Sequence, residues 1–172
     1  VDACSMQLIR QPAAFDVSVT GNDQLLIVDL GASKDTKEIL SRLNQCYPFA
    51  ENDLQRDVQR YLGKVNLEIA AEAEDALMKG DAARLGALMK RAQSEFDKSL
   101  APACPSQLTA PALHRLLDYP PIQSYIHGGK GVGSQGDGSA QLLARDGESR
   151  AKAAAVIERD LGLCHVRARR PA

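Results

Sequence analysis

The stretch that decides the fold runs from Tyr125 to Arg145 and reads YIHGGKGVGSQGDGSAQLLAR. Six of the chain's 13 glycines lie in the eleven residues from Gly128 to Gly138. Glycine at this density gives up side-chain packing and costs backbone entropy. It also lets the backbone approach a ligand closely, with its N–H groups turned toward an anion. The stretch therefore predicts a loop that holds a phosphate, and a glycine hairpin without a ligand is the alternative.

Apolar residues on both sides of the glycines predict that the loop joins two strands. Residues 122–127 are typical of a strand that enters the loop, and residues 139–145 (SAQLLAR) of a strand that leaves it. A turn at Asp146 and Gly147 follows the second strand. The local arrangement is therefore predicted to be strand, glycine loop and strand.

Two common phosphate-binding motifs fit this stretch poorly. The spacing of Gly131, Gly133 and Gly136 matches G-x-G-x-x-G, but the dinucleotide fingerprint needs a helix directly after it. A P-loop is excluded because position 124 is Ser where Gly is required, and Gly131 follows Lys130 where Ser or Thr would bind magnesium.

Upstream of this stretch, the chain begins with a predicted hairpin and a short helix. Residues 15–20 (FDVSVT) and 24–30 (QLLIVDL) are typical strands on either side of a turn at Gly21-Asn22-Asp23. Ser33 or Asp35 caps a helix that extends to about Asn44, and Asp35 with Glu38 resembles a capping box. Its buried stripe is predicted to be Ile39, Leu40 and Leu43.

The middle of the chain is predicted to be helical. Residues 51–79 form the longest segment, which Gly80 ends, and Asp81 caps a second helix over residues 82–100. The two make an antiparallel helical hairpin, and a shorter helix follows over residues 110–117. The apolar positions of the long segment recur at three- and four-residue steps: Leu54, Val58, Leu62, Val65, Ile69, Ala73 and Leu77.

The carboxyl end completes the predicted fold. Asp146 caps a helix over residues 146–161 that Gly162 ends, and residues 164–170 (CHVRARR) alternate as a final strand. Strands and helices in this order predict an α+β fold, an antiparallel sheet with helices packed on one face.

Composition excludes several classes of partner. The formal net charge is −1, from 21 basic and 22 acidic residues, which gives no general attraction to nucleic acid or to a membrane surface. No run approaches the roughly 20 apolar residues of a spanning helix.

The four cysteines lie far apart and form no C-x-x-C pair, which favours reduced thiols in a cytoplasmic protein over a disulfide or a zinc site. The chain begins at Val1, which suggests a piece of a longer protein.

The glycine stretch resembles the third motif of the GHMP kinases, the superfamily of galactokinase, homoserine kinase, mevalonate kinase and phosphomevalonate kinase. That motif runs roughly Gly-Ala-Lys-x-Thr-Gly-Ala-Gly-Gly-Gly-Gly-Cys, and the window here is GGKGVGSQGDGS. Two of its glycines are replaced by Gln135 and Asp137, and a carboxylate beside a phosphate repels it. The residues that fall on family positions are Gly128, Lys130, Gly133, Gly136 and Gly138, and Gly129 and Ser134 are small where the family has Ala.

Three further segments resemble parts of the same kinases. The run KGDAARLGALM over residues 79–89 is similar to a helix start common in the family, and LLIVDLGASKDTKEIL over residues 25–40 is similar to a strand, turn and helix after the catalytic region. The first three residues are similar to the segment that carries the catalytic aspartate, which places it at Asp2. The family's ATP-binding motif, Pro-x-x-x-Gly-Leu-Gly-Ser-Ser-Ala-Ala, is absent, so the resemblance covers only the carboxy-terminal half of such a kinase.

The resemblance implies a fold, a division and a reaction. The fold is the ferredoxin-like sheet of the GHMP carboxy-terminal domain, over residues 35–172, and residues 1–34 form a hairpin and linker on the catalytic side. The reaction is ATP- and Mg²⁺-dependent phosphorylation of a small-molecule hydroxyl, on a sugar or a mevalonate-like compound. The chain is then inactive without the amino-terminal half of the same polypeptide, and no oligomeric state is indicated.

The resemblance also implies which residues act. Asp2 is the base or orienter of the hydroxyl, and no residue is predicted to bind a metal. The alternative for Lys130 is an ordinary lysine at a strand edge. The alternative for the whole chain is a non-catalytic ligand-binding or regulatory α+β domain. The predicted phosphate and substrate loop comprises Gly128, Gly129, Lys130, Gly133, Ser134, Gln135, Gly136, Asp137 and Gly138.

Overall fold

The computed structural model describes residues 24–164, and in this range the chain forms a three-stranded antiparallel sheet. Strand β1 (Leu25–Asp29) pairs with β3 (Ser139–Ala144), and β3 pairs with β2 (Ile126–Gly131), which gives the order β1–β3–β2. The predicted strand at residues 15–20, Asp2 and all but the first residue of the predicted strand at 164–170 lie outside the described range.

Seven α-helices accompany the sheet within the described residues. They are α1 (Thr36–Asn44), α2 (Asp53–Arg60), α3 (Asn66–Met78), α4 (Ala82–Ser99), α5 (Pro105–Leu108), α6 (Pro111–Leu117) and α7 (Gly147–Leu161). A π-helical segment at Tyr61–Val65 joins α2 to α3, and short 3₁₀ turns lie at Ala101–Ala103 and Pro120–Ile122. Within residues 24–164, no helix combines the length and the apolar character needed to cross a membrane.

One face of the sheet carries the main core. Alternate side chains of a strand point to the same face, and Leu26, Val28 and Leu142 are buried on this one. Helices α6 and α7 cover it with Leu113, Leu116, Ala153 and Ile157. The antiparallel α+β class is therefore confirmed.

The α3–α4 hairpin lies on the other side of the sheet, where the sequence predicts helices on one face only. Gly128 and Gly129 are adjacent in β2, so they face opposite sides: Gly128 contacts Gly86 of α4, and Gly129 contacts Leu117 of α6. The contact between Gly86 and Gly128 is possible because neither residue has a side chain. The Gln93 Oε1 of α4 also accepts a hydrogen bond of 2.7 Å from the N–H of Gly131, which protects the edge strand β2.

The predicted long helix at residues 51–79 is a continuous helical segment with a π-helical turn in it. The π turn changes which residues face inward, because it inserts an extra residue into the helical register. Tyr61 is buried against Phe96, with ring centroids 5.9 Å apart, and Leu62 is only half-buried. Leu54 is exposed, so both leucines depart from the predicted stripe, whereas Val58, Val65 and Ile69 are buried as predicted.

The helix boundaries follow the predicted caps. Gly80 has a left-handed φ of +66° and ends the first arm of the hairpin, and the Asp81 carboxylate accepts from the N–H of Arg84 at 2.9 Å. Asp146 caps α7 in the same way through Ser149, and Gly162, also at φ +66°, ends it. These four predictions are confirmed.

The capping box predicted for α1 is only half correct. The Asp35 carboxylate accepts from the N–H groups of Lys37 and Glu38. Glu38 does not return the bond, because its carboxylate accepts from Ser106 and Gln107. The N–H of Asp35 is instead satisfied by the side-chain oxygen of Gln107 at 2.9 Å. Leu40, predicted to be buried, is 51% exposed, since the α1 surface that packs inward carries Ile39 and Leu43.

Candidate functional site

The glycine loop comprises residues 132–138, which connect β2 to β3. The strand that enters it begins at Ile126 and continues to Gly131, whereas the sequence predicts a strand over residues 122–127. Gly128, Gly129 and Gly131 are therefore strand residues that allow close packing. Their neighbours are Gly86 for Gly128, Leu142 for Gly129 and Leu113 for Gly131, and the predicted roles of Gly128 and Gly129 toward a ligand stay predictions.

Two hydrogen bonds and three left-handed residues set the shape of the glycine loop. The N–H of Val132 donates to the Ser139 carbonyl, and the N–H of Gln135 donates to the Val132 carbonyl, each at 3.1 Å. Gly133, Gln135 and Gly136 have φ values of +63°, +64° and +69°. Glycine adopts this region freely, but glutamine does so at a cost in backbone strain. The loop is therefore a tight, defined turn.

Several backbone donors of the glycine loop have no protein acceptor. Among residues 24–164, no hydrogen bond is made by the N–H groups of Gly133, Ser134, Gly136 or Gly138. Consecutive N–H groups without acceptors in a turn of this kind form a concave site for an anion. The predicted property of the loop, a backbone able to bind phosphate, is thus compatible with its geometry.

Lys34 supplies the positive charge at the glycine loop, and sequence reasoning missed it. Its Nζ donates to the Val132 carbonyl at 3.1 Å. A Cβ built on Gly138 would lie 2.9 Å from the Lys34 Cε and 3.3 Å from its Nζ, so the absence of a side chain at Gly138 makes room for the lysine. Burial lowers the pKa of the Lys34 ammonium. Thr36, two residues on, contributes a hydroxyl 3.4 Å from that of Ser134.

The Asp137 carboxylate is hydrogen-bonded to helix α6. Its Oδ1 accepts a 2.9 Å hydrogen bond from the N–H of Leu113, in the first turn of α6. That helix begins after Ala110, which has no side chain able to cap it, so Asp137 acts as a cap from a distant part of the chain.

Gln135 is also turned inward. It is 4% exposed, and its side chain packs beneath the glycine loop against Gly131. Among the described residues its Oε1 has no hydrogen-bond partner. Gln135 and Asp137 both make contacts within the protein here, and their roles toward a substrate stay predictions.

Lys130 lies apart from Lys34. It is a residue of β2, and its Nζ donates to the carbonyl of Gly131 at 2.8 Å. Its side chain faces the cleft between the sheet and the α3–α4 hairpin.

Asp2 lies outside the described residues, so its role stays a prediction. Lys34 was inside the segment 25–40 quoted for its family resemblance, but its distance from the loop cannot be read from the sequence.

The residues around the glycine loop fit a phosphate better than a metal ion. The loop amides and Lys34 are donors suited to anionic oxygens. Among residues 24–164, no three or more His, Cys, Asp or Glu side chains come together as ligands of a metal. The nearby carboxylate of Asp137 is already hydrogen-bonded to α6. These residues therefore do not fit a magnesium site.

Solved structures share this fold. A Lin0012 protein from Listeria innocua matches with a TM-score of 0.66 and 19% identity, over 83% of this chain and 38% of its own. The L. major mevalonate kinase in complex with R-mevalonate matches at 0.57 and 20% identity, over 82% and 40%. The Lactococcus lactis galactokinase complexed with galactose matches at 0.58 and 13% identity, over 83% and 44%.

These similarities confirm at the level of the fold the resemblance to the GHMP kinases. The chain spans about two fifths of the length of the solved structures it matches. No family model matches the chain, and no curated protein does. The chain therefore shares its fold with part of a mevalonate kinase and part of a galactokinase, at identities of 20% and 13%.

Proposed function

We propose that this chain is the carboxy-terminal part of a GHMP-type kinase, which transfers a phosphoryl group from ATP to the hydroxyl of a small molecule. One observation supports the proposal above the others. The unpaired amides of the glycine loop and the amine of Lys34 come together at the end of a sheet whose fold is shared with mevalonate kinase and galactokinase. Catalysis of phosphoryl transfer depends on positioning and charge stabilisation, which such donors supply.

In this proposal the loop binds the phosphate or the substrate, and Lys34 stabilises negative charge there. Asp2 orients the substrate hydroxyl, and the amino-terminal half of the polypeptide supplies the nucleotide site and the ligands of Mg²⁺. The predicted division assigns residues 1–34 to that half and residues 35–172 to the carboxy-terminal domain, and β1, inside the first segment, pairs with β3 of the domain's sheet. The substrate is a small molecule with a free hydroxyl, either a sugar or a mevalonate-like compound. The isolated thiols of Cys46 and Cys104 favour the cytoplasm.

The test is phosphorylation by the full-length polypeptide that contains this chain. It is incubated with ATP and Mg²⁺ and a panel of galactose, mevalonate, phosphomevalonate and homoserine, and ADP release is followed. We expect turnover of one member, and no turnover by the 172-residue chain alone. A full-length protein that neither turns over any member nor binds ATP in calorimetry would contradict the proposal.

A non-catalytic ligand-binding or regulatory domain is the second candidate. It is favoured by the two departures from the family motif, because Gln135 and Asp137 bond or pack inward instead of leaving a glycine surface free for a phosphate. This candidate predicts that the full-length polypeptide binds a phosphorylated compound without turnover. Phosphate binding that survives in the 172-residue chain, with no ADP release by the full-length polypeptide, would favour it.

A further inference from the structure

The sheet and the α3–α4 hairpin enclose an apolar cleft that the proposed kinase site does not use. Its volume is about 310 Å³. Leu25 and Leu143 line it from the sheet, and Ile69, Leu88 and Met89 line it from the helices. The volume is at the lower end of the range for small-molecule pockets, about 300–1,000 Å³. The cleft is therefore large enough for a short aliphatic body.

Lys130 is the charged residue of this cleft. Its Nζ donates to the Gly131 carbonyl, and within residues 24–164 no carboxylate forms an ion pair with it. Burial lowers the pKa of this ammonium, and no acid among residues 24–164 opposes the effect. A cation held against apolar walls without a counter-charge is unfavourable. An anion that entered the cleft would relieve that cost.

We propose that the cleft binds a small amphiphilic carboxylate, with its head on Lys130 and its aliphatic chain against Leu143 and the apolar side of α3 and α4. A lysine ammonium has three donors, and one of them is used by Gly131. The two that remain match the two oxygens of a carboxylate, and the single positive charge matches its single negative one. The apolar lining selects an aliphatic chain over a sugar or a nucleotide.

The experiment measures binding of hexanoate, octanoate, octanol and octylamine to the full 172-residue chain by calorimetry and by ¹H–¹³C NMR of the methyl groups. Octanoate is expected to bind more tightly than hexanoate, by about fourfold for each of its two additional methylenes. Octanol is expected to bind more weakly than octanoate, and octylamine more weakly still. Shifted methyl signals are expected from Leu88, Met89 and Leu143.

Variants test separately whether binding depends on the charge of Lys130 and on the space in the apolar cleft. Lys130→Met keeps an aliphatic side chain and is expected to weaken octanoate about 10- to 100-fold while leaving octanol unchanged. Lys90→Met removes an exposed lysine of α4 and is expected to leave octanoate binding unchanged. Ala73→Phe fills the cleft from α3 and is expected to abolish binding of both compounds. Circular dichroism checks that each variant is folded.

Three results would overturn the proposal. The first is an equal affinity for octanoate and octanol in the unmodified chain. The second is octanoate binding that survives in Lys130→Met. The third is an absence of binding by all four compounds, or methyl shifts confined to residues outside the cleft.

Discussion

Gly86 of α4 and Gly128 of β2 are in backbone contact. A Cβ placed on Gly128 would lie 2.0 Å from the Gly86 carbonyl oxygen, and one placed on Gly86 would lie 2.6 Å from the carbonyl carbon of His127. Both distances are far shorter than any contact a methyl group makes. Helix α4 therefore covers the edge strand at a distance that only two glycines permit, and the position of the glycine loop beyond Gly131 depends on this contact.

Replacing Gly86 by Ala is expected to destabilise the fold by about 1–3 kcal/mol. In an open helix the same change stabilises by about 1 kcal/mol, but here the backbones of α4 and β2 would have to separate. Gly63 is the matched control, because a Cβ there meets nothing within 4 Å. Gly63→Ala is expected to raise stability by up to about 1 kcal/mol. Urea unfolding of both variants checks this, and a stabilised Gly86→Ala would show that the contact is absent.

If the full-length polypeptide has the proposed kinase activity, Lys34→Met is expected to lower its kcat/KM about 10- to 100-fold, because a charge-assisted contact to phosphate contributes about 1.5–3 kcal/mol. The variant removes the amine and keeps the stem that packs on Gly138. Lys37→Met, which alters an exposed lysine of α1, is the control and is expected to be fully active. Steady-state assays with the substrate found in the panel measure both. Equal activity of the two variants would remove Lys34 from the proposed site.

Asp137→Ala is expected to reduce the free energy of unfolding by about 1 kcal/mol, the usual cost of losing a helix cap. The lost group is the acceptor for the Leu113 N–H. Asp137→Asn keeps a side-chain oxygen at that place and is expected to lose less stability than Asp137→Ala. Urea unfolding at pH 7 compares the two. If both variants had the stability of the unmodified chain, Asp137 would not cap α6.

Because the Asp97 carboxyl is partly buried, we expect the free energy of unfolding to depend on pH. Burial raises the pKa of its carboxyl, the charge of Asp118 adds to this, and the Gln93 side chain and His114 oppose it. The native state therefore binds more protons than the unfolded state between the unfolded pKa, about 3.9, and the higher native one. Stability falls as pH rises through that window, since the unfolded state loses its proton first.

Asp97→Asn removes this penalty and keeps an acceptor for Gln93. It is expected to be more stable than the unmodified chain at pH 7, with a difference that shrinks toward pH 4. Urea unfolding from pH 4 to pH 7 measures the difference. A variant that is less stable than the unmodified chain at pH 7 would mean that the contact with His114, 3.6 Å away, outweighs the cost of burial.

Local sequence patterns predicted most of the elements, because their signals lie within a few residues. Asp81, Asp146, Gly80 and Gly162 mark helix ends through bonds to their own neighbours. Local patterns gave a wrong prediction where a side chain bonds to a residue far away in the sequence. Glu38 bonds to Ser106 and Gln107 instead of closing its own capping box. Tyr61, three residues after Val58, is buried, whereas Leu62 is only partly buried against the same core.

The sequence by itself determined that strands flank a glycine loop and that a helical hairpin precedes it. These properties follow from side-chain period and from glycine's freedom at positive φ. Only the tertiary structure decided which charges face the loop. Lys34 lies 98 residues before Val132 along the chain and yet contacts it, while Lys130 turns toward an apolar cleft. Strand pairing and helix packing bring together residues that local patterns cannot relate, and so they select the site.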